Sequence, residues 1–265
     1  MTGGIAVGEA LVITSGKGGV GKSTVAVNLA ASLGRLGCRT VLIDADTGLR
    51  SLDVLLGMEN DLVYDLTDVA EGICKLRQAV VKARDVDGVS LLAAAQLRDM
   101  CSVPRGRMES VASELRQMFD YVIIDSPAGV DLGFRIAAAG ADRAIIVANN
   151  DVICQRDAER VKGLLERAGI GDISLLLNRV PPEKLKKKEK SSCALMAERL
   201  ELPLIGNIRA RASVFREAAQ KGRPAALENE EMARAFEEIA RRVMGEDIPV
   251  QPVRMPGFWA SLLKG

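Results

Sequence analysis

The stretch ALVITSGKGGVGKSTVAVNLAASLGRL, residues 10–36, decides the fold. It opens on a short apolar run rich in Val, Ile and Leu, without polar alternation, as expected of a strand buried on both faces. A glycine-dense turn follows, and helical spacing then runs over 22–36. From Gly16 to Ser23 the turn fits the pattern G-x-x-x-x-G-K-[ST]. Gly16, Gly18, Gly19 and Gly21 let successive backbone N–H groups converge on anionic oxygens. The helix opening near Lys22 turns the positive end of its dipole to the same point. The pattern places Lys22 on the β- and γ-phosphates of a nucleotide and the Ser23 hydroxyl on Mg²⁺. Lys17 is a second lysine in the same loop, and the pattern does not require it.

Outward from this stretch the same alternation repeats. Apolar runs TVLID (40–44), VSLLAA (89–94), YVIID (121–125), RAIIVA (143–148), ISLLLN (173–178) and PLIGNI (203–208) are separated by longer segments, among them 108–118, 157–168 and 231–244, with helical spacing. This predicts an α/β fold: a doubly wound, mostly parallel sheet flanked by helices. In such sheets the strand C-termini face the ligand crevice. Asp125 ends YVIID ahead of the turn SPAG and suits a carboxylate beside the metal. Asp44 and Asp46 end another strand, two residues apart, so in extended geometry they point the same way. They suit either orienting a water for attack on the γ-phosphate or holding Mg²⁺ through its waters.

Composition narrows the alternatives. The chain has 265 residues, a formal net charge of +1 and no histidine, which removes the commonest general base and zinc ligand. Aromatics make up 3% of it, too few for a base-stacking platform. Cys38, Cys74, Cys101, Cys154 and Cys193 are far apart and show no C-x-x-C pair, as in a reduced cytosolic protein. No cationic leader and no membrane-length apolar run is evident, so a cytoplasmic protein is expected. The cationic segment PPEKLKKKEKSS (181–192) reads as an exposed loop or first helical turn, with contact to an anionic surface as the alternative.

The C-terminus breaks the pattern. Pro249, Pro252 and Pro256 disfavour helix across 248–256. GFWASLLKG then sets Phe258, Trp259, Leu262 and Leu263 on one face of a short helix, between the cations Arg254 and Lys264. Trp and Phe beside lysine suit a bilayer interface. Partly burying these side chains returns roughly 5–8 kcal/mol. Ordering the backbone costs about 1 kcal/mol per residue. One copy is marginal, and two held together gain by effective concentration.

The loop K-G-G-V-G-K-[ST], with its additional lysine, resembles the deviant Walker A ATPases of the SIMIBI type. That family includes ParA-type partition proteins, nitrogenase iron protein and the MinD branch. TSGKGGVGKST, IDADTGLRSLDVLLG, VYDLTDVAEG, IIDSPAG, LLNR and the tail PGFWASLLKG look like the MinD branch in particular. The resemblance implies an ATPase domain over 1–247, then a flexible linker and amphipathic membrane-targeting helix over 248–265. It implies slow hydrolysis of ATP with Mg²⁺, unless a partner stimulates it. Gly16, Gly18, Gly19, Val20, Gly21, Lys22, Ser23 and Thr24 would cradle the phosphates, and Lys17 would cross to the nucleotide of a partner subunit. Asp46 would orient water; Ser23, Asp44 and Asp125 would form the metal shell; Asn178, with Arg179 beside it, would read the adenine edge. The expected partners are a second copy of the chain when ATP is bound, membrane lipid at the cytoplasmic face of the inner membrane, a MinC-like division inhibitor and a MinE-like activator. The sequence departs from the pattern at Ser51, where relatives often carry Asn, and at Arg209, where they often carry Pro. The rival readings are a ParA-type DNA-segregation ATPase, a regulator of flagellar number and a metal-cluster carrier.

Overall fold

A computed structural model describes residues 7–46, 51–95, 103–183 and 190–253. The run 184–189, Cys101, and the tail with Arg254, Phe258, Trp259, Leu262, Leu263 and Lys264 lie outside the described residues. In chain order the first half holds β1 (Glu9–Thr14), α1 (Lys22–Arg35), β2 (Thr40–Asp44), α2 (Leu52–Leu56), α3 (Leu66–Glu71), α4 (Leu76–Ala79), β3 (Val80–Lys82), β4 (Val89–Leu92), α5 (Arg105–Arg116) and β5 (Tyr121–Asp125). The second half holds α6 (Leu132–Ala139), β6 (Arg143–Asn149), α7 (Val152–Arg167), β7 (Asp172–Val180), α8 (Ser192–Leu200), β8 (Leu204–Arg209), α9 (Ala212–Gln220), α10 (Ala225–Glu228) and α11 (Glu230–Val243).

The sheet order is β3-β4-β2-β5-β1-β6-β7-β8. Every pairing is parallel except β3 with β4. The inner strands β1, β2 and β5 are buried almost end to end, as their unalternated apolar runs require. β3 is not marked in the sequence: it is short, and Val80 and Val81 are only half-buried. α7 begins at Val152, earlier than the residue 157 that apolar spacing marks. Asp151 caps it, its carboxylate accepting the Cys154 N–H at 2.8 Å. Among the described residues, no helix is long and apolar enough to cross a membrane.

α1 packs on β1, β2 and β5 and against α11, while α5 and α6 pack together on the same central strands. The register sets Ile13 beside Asp125 and Asp44 beside Asp125. The C-terminal ends of β1, β2 and β5 therefore meet, with the glycine loop above them.

After α11 the chain does not swing free at once. Arg242, its side chain 8% exposed, donates to the carbonyls of Ile248 (2.7 Å), Pro249 (3.1 Å) and Ile205 (3.0 Å). Asn207 Nδ2 donates to the Gln251 carbonyl at 2.9 Å, and the Glu183 N–H to that of Val253 at 2.8 Å. Residues 248–253, part of the segment expected to be a flexible linker, are laid along the edge strand β8.

Candidate active site

β1 delivers the chain to the loop at Thr14. The buried Ser15 hydroxyl donates to the Lys17 carbonyl at 2.7 Å and fixes the first bend. Gly16 lies against α7: a Cβ there would come within 2.6 Å of the Asp157 Cβ. Gly21 is left-handed, φ 98, and its Cβ would lie 2.5 Å from Asn178 Nδ2, so glycine is needed twice over. α1 opens at Lys22 with no side chain capping it, and its first N–H groups are directed at the loop. Lys22 is buried at 7% exposure, whereas Lys17 is exposed at the rim.

The loop is stapled to the turn after β5. The Ser126 N–H donates to the Ile13 carbonyl (3.1 Å) and the Gly129 N–H to that of Ser15 (3.2 Å). Phosphate loop and SPAG turn are thus one construction. The sequence did not reveal these ties, because backbone bonds leave no residue signature.

Three acids gather below. Asp125 is fully buried and neither of its oxygens makes a hydrogen bond of good geometry, although the Ser23 hydroxyl is within reach. Burial first, then the neighbouring Asp44 charge, pushes its carboxyl up to about 8; Ser23 and Lys22 oppose this. Asp44 is pushed up to about 7, mainly by burial. Its Oδ1 accepts the Asp46 N–H (3.0 Å), and its Oδ2 accepts those of Ser51 (3.2 Å) and Leu52 (3.3 Å). The expected extended spacing of Asp44 and Asp46 does not hold. β2 ends at Asp44, and the Asp46 N–H folds back onto its carboxylate in an Asx-type turn. Asp46 is half-buried and its charge still raises both other acids. A fully buried carboxylate without a well-formed hydrogen bond, a hydroxyl and a lysine close by, suits a small hard divalent cation.

Ser51 contributes its backbone N–H to this cluster, so its departure from Asn leaves that contact intact. Arg209 ends β8 and pairs with Glu231 at 3.5 Å, away from the loop. Asn178 ends a buried run of β7 beside Gly21, and Arg179, left-handed at φ 55, is exposed.

The ParA family model, described as NUBPL iron-transfer P-loop NTPase, matches residues 6–244. Septum site-determining protein MinD of Bacillus subtilis (strain 168) is 42% identical over 248 residues, covering 92% of each chain. The Synechocystis protein of that name is 44% identical over 241 residues, covering 90% of each. The chain belongs to the MinD family. The Aquifex aeolicus MinC:MinD complex contains a chain that superposes with a TM-score of 0.83 at 37% identity, covering 93% of this chain and 100% of that one. Pyrococcus horikoshii MinD, solved with Mg-ADP, gives 0.78 at 28% identity, covering 91% and 99%.

Membership makes the chain a MinD-type cell-division ATPase that uses ATP and Mg²⁺. The site has the parts such chemistry needs: a preorganised nest of N–H donors, a buried lysine and carboxylates suited to a cation. Sequence reasoning missed Asn28, in the middle of α1. Its Nδ2 donates to the Thr24 carbonyl (2.7 Å) and its Oδ1 accepts the Ala226 N–H (2.7 Å), tying the helix behind the loop to α10. An amide on the apolar face of a helix was the available signal.

Proposed function

We propose that this MinD-family ATPase is a nucleotide-timed membrane switch. ATP joins two copies mouth to mouth. The pair holds the cytoplasmic face of the inner membrane through two C-terminal helices and recruits a MinC-like inhibitor that keeps the septum from misplaced sites. Hydrolysis, stimulated by a MinE-like activator, lets the copies part. Ser23, Asp125 and Asp44 would hold Mg²⁺, whose charge would offset that of the phosphates. Asp46 orients the attacking water, and Lys22 neutralises the γ-phosphate.

One observation carries the reading. Lys17 stands exposed at the mouth and, among the described residues, has no hydrogen bond or ion pair from its ammonium. Exposed apolar side chains start the two helices that follow the crevice: Leu132 (53%) on α6, Val152 (67%) and Ile153 (64%) on α7. An exposed cation that makes no ion pair and only lends its charge to Asp151 at the start of α7, beside apolar surface, suits a second anionic mouth docking there. Sedimentation with vesicles tests it, comparing ATP, ADP and no nucleotide, and the full chain with one stopped at Met255. ATP-dependent pelleting that Lys17→Ala and the truncation both abolish is expected. Pelleting indifferent to nucleotide and tail refutes the switch. The MinC-like partner is supported by the similarity to the Aquifex aeolicus chain crystallised in its MinC:MinD complex.

A further inference from the structure

Asn178 does something in this structure that base recognition does not explain. It is 4% exposed at the C-terminal end of β7. Its Nδ2 donates to the carbonyl of Val20, inside the phosphate loop, at 2.8 Å. Its Oδ1 accepts the N–H of Arg179 at 2.8 Å, which the left-handed backbone there (φ 55) permits. That second bond fixes which end of the amide faces the loop.

We propose that Asn178 is a positioning residue that braces the phosphate loop from β7. A trans peptide points its N–H opposite its C=O. Pulling the Val20 carbonyl toward β7 therefore turns the Gly21 N–H away from it, and sets the approach of the chain to Lys22. Gly21 has the φ of 98 and the absent Cβ that let Asn178 come this close. Since Nδ2 carries two hydrogens, one remains for a base edge while the other holds the loop. The same side chain thus joins the base end of the site to the phosphate end. This deepens the reading of residues 16–24 as the phosphate site and rests on it.

Calorimetry on the full chain separates bracing from base reading, using magnesium ATP, magnesium GTP and magnesium tripolyphosphate, which has no base. For Asn178→Ala and the nearly isosteric Asn178→Leu, loss of the brace weakens tripolyphosphate by about tenfold and ATP by at least as much. Amide exchange at residues 19–22 of the ligand-free variants rises by a similar factor while exchange in the rest of β7 stays at the parent level. If tripolyphosphate binds the variants as it binds the parent and only ATP weakens, Asn178 reads the base and braces nothing. Unchanged exchange at 19–22 likewise overturns the proposal. A parent chain that binds ATP but not tripolyphosphate removes the independent phosphate site, and the brace with it.

Discussion

Asp125→Asn should stabilise the metal-free protein and abolish its response to magnesium nucleotide. The carboxyl is fully buried without a well-formed hydrogen bond, and its folded value stands at about 8 against an ordinary 3.8. A raised acid contributes its full stability below the unfolded value and loses it as pH climbs through the folded one. Between pH 5.5 and 8 the unfolded chain has already released this proton and the folded chain still holds it. The share of metal-free stability due to this carboxyl should fall across that window by about 3 kcal/mol at most, at about 1.4 kcal/mol per pH step. In a domain of this size that is a drop of roughly 6–12 °C in melting temperature. Carboxylates with depressed values, such as Asp120 and Asp151, act below the ordinary carboxylate range and do not mask it.

Asn at 125 has no proton to lose, so its profile should be flatter over the window. Only the smaller contribution of Asp44, raised to about 7, should remain. The assay is thermal melting in EDTA at pH 5.5, 6.5, 7.5 and 8, then with magnesium and ADP. The parent should recover stability when the cation arrives, most at pH 8, and the variant should not. A parent that melts alike at pH 5.5 and 8, with a variant that follows it, would refute the idea that a buried carboxylate is held ready for a metal.

Other substitutions test other parts of the construction. Gly21→Ala sets a Cβ on a left-handed residue, costing about 1–2 kcal/mol, and drives it into Asn178; ATP binding measured by calorimetry should fall more than about tenfold. Asn28→Ala strands the buried Ala226 N–H and should cost about 2 kcal/mol in urea unfolding; an unchanged midpoint would show that α10 does not lean on α1. Arg242→Ala should speed amide exchange at Ile248, whose N–H donates to the Glu246 carbonyl, and weaken ATP-dependent vesicle binding by up to about threefold, leaving ATP turnover intact.

The parts of the molecule legible in the sequence are those with strong local causes. TVLID and YVIID coincide with β2 and β5, because a strand buried on both faces leaves no choice but unbroken apolar residues. The loop was legible because its glycines, lysine and serine each answer a separate demand. The relation of Asp44 to Asp46 was not, since an Asx-type turn depends on where the strand stops, and nothing in IDADT announces that. Nor was the role of Asn178, which arises from contact across 158 positions of chain. β3 escaped because Val80 and Val81 are only half-buried, Lys82 is exposed, and its stability comes from pairing with β4.

The strap along β8 bears on how a weak anchor holds. Pro249 and Pro252 lack N–H groups, so this segment cannot extend the sheet as a ladder strand. Its carbonyls take up the contacts instead, accepting from Arg242, Asn207 and the Glu183 N–H. The strap shields the edge of β8 and carries the chain upward beside it. Glu183 follows β7 at its C-terminal end, so Val253 lies at the same, C-terminal end of the parallel strands as Asp44 and Asp125. A tether pivoting at Val253 reaches Phe258 in 5 residues (258 − 253), and one freed back to Ile248 needs 10 (258 − 248). Effective concentration falls as the three-halves power of tether length, so releasing the strap dilutes each anchor about threefold. On the membrane reading, Arg242 never meets lipid or nucleotide, yet it sets where both tails of a pair begin and how closely they are held, which is why its loss should appear in vesicle binding and not in turnover.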